Sequence, residues 1–358
     1  MKPSILFVDD ERDVLRGLRR ALRSKRREWD MRFVESAQEA MIAMSETSAD
    51  IIVSDMRMPD VDGAGLMESL ADNWPFTCRF ILSGQAADHA VIKTVGITHQ
   101  FLAKPFDSQN LVKLLEGQIP LFDTEQSSRP LAIEALPTPD DTVQEITQIF
   151  EQPDFSANEL AELIGDDLAL SAKLLQLSNS AYFGNGHTTL LPGDAVRTLG
   201  KDVLTTLKDQ TRFMEPASAA GPNHEELNQL LHMAGEYARI ADTYCRSFPE
   251  HELDAALLRQ LAKFLPLGRV LGITSGAKSY LDETLCINFA NLWGFPKEIT
   301  SGLEEIWANN FTTDEAAVAA AIGHVFHHDG IPQHKLNLMS ERFIKRIQSL
   351  SIQEEKAA

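Results

Sequence analysis

The sequence predicts two domains of different class: a parallel α/β domain over residues 1–122, and an all-α domain that follows it. Three observations carry this. In the first part, short apolar runs alternate with stretches of helical periodicity, the pattern of a parallel sheet with right-handed crossovers. The segment from Pro120 to Pro139 is polar at its centre, and Pro130, Pro137 and Pro139 exclude an uninterrupted helix. From Thr142 onward apolar residues recur at three- and four-residue spacing with little alternation. At 358 residues, 44% hydrophobic and 24% charged, the chain is long enough for each domain to bury its own core.

In order, Ser4–Val8 reads as the first strand and 11–27 as a helix, with Val14, Leu15, Leu18 and Leu22 at helical spacing. The other positions of that helix carry Arg12, Arg16, Arg19, Arg20, Arg23, Lys25, Arg26 and Arg27. So dense a basic block exceeds what solubility needs. It predicts a docking surface centred on Arg16, Arg19, Arg20 and Arg23 for an acidic partner, either another protein or the chain's own second half. A strand at 31–34 and a helix at 37–44, capped by Ser36, come next. Ile51-Ile52-Val53 is a run buried on both faces, and it stops at Ser54-Asp55. A helix at 64–71, a strand at 80–83, a helix at 87–95 and a strand at Gln100–Ala103 follow. Asp107 or Ser108 caps a last helix that fades near Gly117.

The ends of these strands carry the chemistry. Asp9 and Asp10 follow the first, Asp55 ends the third, Ser83 the fourth, and Lys104 follows the fifth. All would lie at the carboxyl edge of the sheet, where ligands bind in open α/β folds. Three carboxylates facing one point need a cation, and Mg²⁺ suits an all-oxygen donor set. An Asp carboxylate can serve as a covalent nucleophile toward phosphorus, with a hydroxyl and an ammonium balancing charge on the transferred oxygens.

With Asp9-Asp10, Asp55, Met58-Pro59, Asp62-Gly63, Ser83, Phe101 and Lys104-Pro105, the first 120 residues resemble the receiver domain of two-component response regulators. The resemblance implies a flavodoxin-like sheet of order 2-1-3-4-5 and transfer of a phosphoryl group to Asp55 from a histidine kinase or phosphotransfer protein. It implies Mg²⁺ held by Asp9, Asp10, Asp55 and the backbone carbonyl of Arg57. Ser83 and Lys104 would contact the phosphoryl group, and Phe101 would be the switch aromatic. In this family the signal leaves chiefly through the face of strands four and five. Arg57 and Gln85 stand where receivers tune the lifetime of the acyl phosphate.

In the second half, helices are expected at 158–164, 168–177, 195–199, 203–207, 227–244, 252–265, 285–293, 299–308 and 315–326, with residues 341–358 a frayed, charged tail. The run from Glu159 to Gly184, with Ala195-Val196-Arg197-Thr198-Leu199-Gly200 and Leu292-Trp293-Gly294-Phe295-Pro296, resembles the HDOD family of helical domains related to HD phosphohydrolases. The expected layout is a receiver at 1–122, a linker at 123–135, an HDOD domain at 136–335 and a C-terminal helix or tail at 336–358. Catalytic HD enzymes need an adjacent His-Asp pair as metal ligands. Here Arg259 and Gln260 fill those places, and a guanidinium cannot ligate a metal. His232 could match a first His, and His324 and His328 could share a helix face, but a structural or solvated role is the better expectation for each.

The function expected is phosphorylation-dependent signalling to a non-catalytic protein-interaction output. The chain's only chemistry would be its own phosphoryl transfer and dephosphorylation. The alternative is a regulated cyclic-dinucleotide or nucleotide phosphohydrolase, or a nucleotide-binding module. Residues 1–120 hold 15 Lys and Arg against 18 Asp and Glu; residues 121–358 hold 18 against 34. An output half this acidic argues against DNA and anionic membranes as partners, and for a downstream protein. A homodimer is compatible. Three scattered cysteines and no signal-peptide pattern suit the cytoplasm.

Overall fold

The computed structural model describes residues 2–84, 89–119, 136–152, 155–184, 187–208, 213–275, 282–308, 310–327 and 343–350. Strands β1 (Ser4–Val8), β2 (Asp30–Val34), β3 (Ile51–Asp55), β4 (Cys78–Ser83) and β5 (Gln100–Ala103) form one parallel sheet in the order β2-β1-β3-β4-β5. Between them run α1 (Arg12–Ala21), α2 (Ala37–Glu46), α3 (Gly63–Asn73) and α4 (His89–Lys93), and α5 (Ser108–Gln118) closes the domain. Residues of successive strands alternate between two apolar layers, as strand geometry requires. Ile5, Phe7, Val53, Phe80 and Leu82 pack toward α1 and α5, whereas Leu6, Val8, Ile52, Ile81 and Phe101 pack toward α2, α3 and α4.

The helix starts are set by side-chain caps. Ser36 accepts from the Glu39 amide, Asp62 from Gly65 and Asp107 from Gln109, each relieving an orphan donor of the first turn. The helix expected at 11–27 ends instead at Leu22, and Arg23–Arg27 form a 3₁₀ turn. Arg19, Arg23 and Arg27 would stack like charges at four-residue spacing. Tightening the chain there also lets Trp29 turn inward, where it is buried.

The second domain is α6 (Asp140–Glu151), α7 (Ala157–Asp166), α8 (Leu168–Asn179), α9 (Pro192–Lys208), α10 (His224–Ser247), α11 (Ala255–Lys263), α12 (Leu267–Ser275), α13 (Asp282–Leu292), α14 (Lys297–Ala308) and α15 (Asp314–His327). Helix α8 is buried along almost its whole length and forms the axis of the domain. The helices expected at 195–199 and 203–207 are the two arms of α9, separated at Gly200, whose non-helical φ of 76° favours a residue without a Cβ. The helix expected from 252 starts at Ala255, because Glu252 is left-handed (φ 51°) and Asp254 caps the Ala256 and Leu257 amides. Helix α12 was not anticipated. It packs Leu267, Val270 and Leu271 into the core immediately after Pro266. The tail expected to fray is helical over 343–350, since Phe343, Ile347 and Leu350 share one buried face.

Candidate functional site: a carboxylate–lysine cluster beside an interdomain contact

The parallel register brings the polar strand ends together. Val8 lies opposite Ser54, Asp55 opposite Leu82, and Ser83 opposite Ala103, so Asp9, Asp55, Ser83 and Lys104 reach one edge of the sheet. Lys104 is fixed by its amide, which donates to the Ser83 carbonyl at 2.7 Å. Its ammonium lies between two carboxylates, 2.7 Å from Asp9 Oδ2 and 2.5 Å from Asp55 Oδ1. The remaining oxygens are held by the backbone: Asp9 Oδ1 accepts from the Glu11 amide and Asp55 Oδ2 from the Arg57 amide, both at 2.9 Å.

Two carboxylates share one ammonium, and the electrostatics follow. Burial pushes the Asp9 carboxyl above its ordinary value, and the hydrogen bond and charge of Lys104 pull back only part of that. Burial alone would lower Lys104, but its bonds to Asp55 and Asp9 outweigh it and hold the ammonium above its usual range. The pair thus carries surplus negative charge at the sheet edge.

The donor set is oxygen-only and fits Mg²⁺ in kind. Asp10, the third expected ligand, is exposed, and among the described residues no three carboxylates, imidazoles or thiols are gathered into a metal-holding group. The Lys104 ammonium bridges Asp9 and Asp55.

The floor of the site is tight. A Cβ at Gly63 would lie 2.6 Å from the Asp55 carbonyl oxygen and 2.8 Å from the Met56 Cα, both backbone atoms that cannot step aside. Gly63→Ala is therefore expected to cost about 1–3 kcal/mol of stability, and to slow phosphoryl acceptance by displacing the end of β3. Urea unfolding and acetyl phosphate labelling on the same sample check both.

The two expected switch residues do not face solvent. The Ser83 hydroxyl lies 3.5 Å from the Tyr182 hydroxyl, at the outer limit of a hydrogen bond. The Phe101 ring, 1% exposed, meets Phe183 edge-on at 5.8 Å between centroids. Around this pair the α4–β5–α5 face is clamped to the helical domain. Gln176 of α8 donates its amide to the carbonyls of Thr98 (3.0 Å) and His99 (2.9 Å). In return Gln100 donates to the Leu292 carbonyl at 2.8 Å, and Gln118 to that of Asn291 at 3.3 Å. Helix α4 packs on α9 and α5 on α13. Nothing in the sequence flagged Gln176, Tyr182 or Phe183 as interface residues. They lie within the stretch that resembles HDOD domains, where an aromatic pair in a turn reads as local packing.

The basic residues expected to dock on the chain's own second half are engaged elsewhere. Arg12 pairs with Glu35, Arg16 with Asp13, and Lys25 with Glu28 and Glu116, all within the first domain. Arg16, Arg19, Arg20 and Arg23 are exposed. The second domain occupies the opposite edge of the sheet. Gln85 and His328 lie outside the described residues.

In the helical domain, Arg259 is bound by Asp166 at 2.5 Å and by Asp242, and it also donates to the Gly165 carbonyl. Gln260 beside it is fully buried. His232 stands on α10, 3.6 Å from Asp141 and half exposed.

Fold and site together define a parallel α/β domain with a carboxylate–lysine cluster at its sheet edge, joined to a helical domain. Residues 5–116 match the response regulator receiver domain and residues 136–270 match the HDOD domain, so the chain carries an N-terminal receiver and a C-terminal HDOD domain. Curated relatives include the transcriptional regulatory protein TrcR of Mycobacterium tuberculosis, 30% identical over 116 residues, or 32% of this chain and 44% of TrcR. The DNA-binding transcriptional regulator NtrC of Proteus hauseri is 29% identical over 119 residues, 33% of this chain and 25% of NtrC. This chain thus covers less than half the length of either relative. Among solved structures, the signal receiver domain of an HD domain-containing protein from Pseudomonas fluorescens Pf-5 is 25% identical, with 34% of this chain and 96% of that one covered and a TM-score of 0.32. Among the described residues no helix is long and apolar enough to cross a membrane.

Proposed function

We propose that Asp55 accepts a phosphoryl group from a histidine kinase or phosphotransfer protein, and that this loosens the receiver from an HDOD domain, taken as residues 136–335, that acts as a non-catalytic protein-interaction output. The observation that carries this reading is the contact of Ser83 and Phe101 with Tyr182 and Phe183. Any rearrangement at Asp55 that recruits Ser83 must break or reshape it.

The chemistry falls to few groups. An Asp55 carboxylate oxygen attacks phosphorus as the bond to the donor nitrogen breaks, and the imidazole leaves neutral. Mg²⁺, which Asp9, Asp10, Asp55 and the Arg57 carbonyl would hold, offsets charge on the phosphoryl oxygens when bound. Lys104, already 2.5 Å from Asp55, shifts its hydrogen bonds from the carboxylate to the phosphoryl group. The Ser83 hydroxyl turns to a phosphoryl oxygen and leaves Tyr182. Phe101 then follows into the space behind it, and its edge contact with Phe183 is lost. A coupling of this kind is worth about 1–3 kcal/mol, or roughly 5–150-fold in the equilibrium it biases.

A non-catalytic output is supported by Arg259. Its guanidinium, with that of Arg239 beside Asp166, offsets the charge of Asp166 and Asp242 and leaves those carboxylates little negative charge for a metal to balance. The test is hydrogen exchange on the full chain with Mg²⁺, with and without beryllofluoride as a phosphoryl mimic. Faster exchange in residues 98–103 and 176–183 is expected. Beryllofluoride binding that leaves both segments equally protected would sink the reading.

A further inference from the structure

The opposite edge of the sheet carries a basic recess for which the phosphoacceptor reading has no use. We infer that it is a docking site for an extended, carboxylate-rich peptide segment of a partner protein, which adds to β2 as a sixth strand.

Four observations converge on it. First, β2 is an edge strand, paired only with β1. The Asp30 amide donates to the Pro3 carbonyl, and the Val34 carbonyl accepts from the Asp9 amide. In a parallel ladder a residue turns its N–H and C=O to the same side. Alternation from Asp30 to Val34 therefore points those of Met31 and Phe33 outward, toward the free edge. Natural edges are commonly blunted by a bulge, a proline, a covering element or charged side chains; within its span β2 has only the last, in Asp30 and Arg32.

Second, a recess of about 670 Å³ opens along this strand, lined by Arg19, Arg26 and Arg32, with Asp30 its only acid. It therefore carries an excess of two positive charges. Third, Arg32 is not satisfied. Its Nη1 donates to the Ala43 carbonyl at 2.7 Å, but Nε and Nη2, the two donors of its side-on fork, are shielded from water and have no partner among the described residues. A cationic fork withdrawn from water without an acceptor is costly. A carboxylate, whose two oxygens match this fork, would satisfy it once the Arg32 side chain turns outward. Fourth, the walls suit a peptide. The Phe33 ring is stacked on Phe7 at 4.9 Å and covered by the Arg19 guanidinium at 4.8 Å, which holds that guanidinium in place beside the strand to meet a carboxylate.

The alternating pattern of a strand uses all of this at once. Backbone groups pair with Met31 and Phe33. Carboxylates on one face meet Arg19 and Arg26, and one on the other meets Arg32. A nucleic acid strand could also satisfy arginines and aromatics, but a chain with a net charge of −19 repels a polyphosphate, whereas a short segment with two or three carboxylates sees mainly the local field.

The test uses the full chain and a fluorescein-labelled hexapeptide Glu-Val-Val-Glu-Glu-Val, which as a strand puts two carboxylates on one face and one on the other, read by anisotropy at low salt. Binding is expected, and Arg19→Glu with Arg26→Glu, or Arg32→Met alone, should weaken it by about tenfold or more. The same peptide N-methylated at alternate positions, which removes the strand-pairing donors, should lose binding without any change to the protein. Asp55 labelling by acetyl phosphate should be unchanged in the variants, which shows that they are folded. The inference is overturned if the N-methylated peptide binds as well as the parent, if charge reversal leaves the affinity unchanged, if no binding is seen, or if a ten-nucleotide thymidine strand binds more tightly than the peptide.

Discussion

Asp55→Asn should remove phosphoryl acceptance, with acetyl phosphate labelling falling by on the order of a thousandfold or more, as when a nucleophile is deleted from a group that acts as a unit. An amide has no anionic oxygen to attack phosphorus. The neighbouring carboxylates cannot take over. Asp9 is 1% exposed and both its oxygens are committed, one to the Glu11 amide and one to Lys104. Asp10 is exposed, outside the grip of Lys104. In the variant the Lys104 ammonium keeps Asp9 as its only carboxylate partner, so the first domain should stay folded and the loss should be chemical. Mass spectrometry of intact protein after labelling, with circular dichroism on the same sample, separates the two. Labelling that persists in the variant would mean that Asp55 is not the acceptor.

The meeting of polar groups at the sheet edge was legible because its signals are local. Asp9, Ser83 and Lys104 follow directly on an apolar run and Asp55 one residue after one, and the period of a strand places its end without knowledge of the rest of the chain. The order β2-β1-β3-β4-β5 followed from the same residues through the resemblance they carry. The clamp between the domains was not legible. Gln176, Gln100 and Gln118 bond to backbone carbonyls more than 75 residues away in sequence, and a carbonyl leaves no mark on the residue type that bears it. Element ends failed where charge or a single backbone angle decided them, as in the arginine stack after Leu22 and the left-handed Glu252. For the C-terminal helix or tail expected at 336–358, charged neighbours left the choice open, although the spacing of Phe343, Ile347 and Leu350 favours the helix observed at 343–350.

Stability of the helical domain should rise, not fall, as the pH is raised from 7 to 10. Two fully buried lysines cause this. Lys263 donates to the Gly165 carbonyl and to the Ser171 hydroxyl, each at 2.7 Å, and Lys173 to the carbonyls of Leu136 and Phe213 at 2.9 and 2.8 Å. Dipoles alone do not replace the hydration of an ammonium. Burial brings Lys263 down to about 7, with the charge of Arg259 adding to it, and brings Lys173 down to about 8. The buried acid nearby, Asp167, is itself pushed up to about 6 by burial. In the unfolded chain each lysine titrates near 10.4. Between its folded value and that figure the unfolded chain holds a proton that the folded one lacks, so stability climbs by about 1.4 kcal/mol per pH unit for each lysine as pH rises. Asp167 acts on the acid side. Between 3.8 and about 6 the folded state holds the proton, so its contribution grows as pH falls. From these groups the domain is weakest near pH 6–7, where the carboxylate and both ammonium groups are charged together in the core. Lys263→Met keeps the length of the side chain and removes one titration. Its stability should rise less steeply with pH, by one lysine's share. The loss of a donor to Gly165 and Ser171 shifts the whole curve without changing that slope, so the slope is the diagnostic quantity. Urea titrations of both proteins at pH 7, 8, 9 and 10 measure it. Equal slopes would mean that Lys263 stays charged when folded, and that Asp167 supplies more of its counter-charge than its own burial implies.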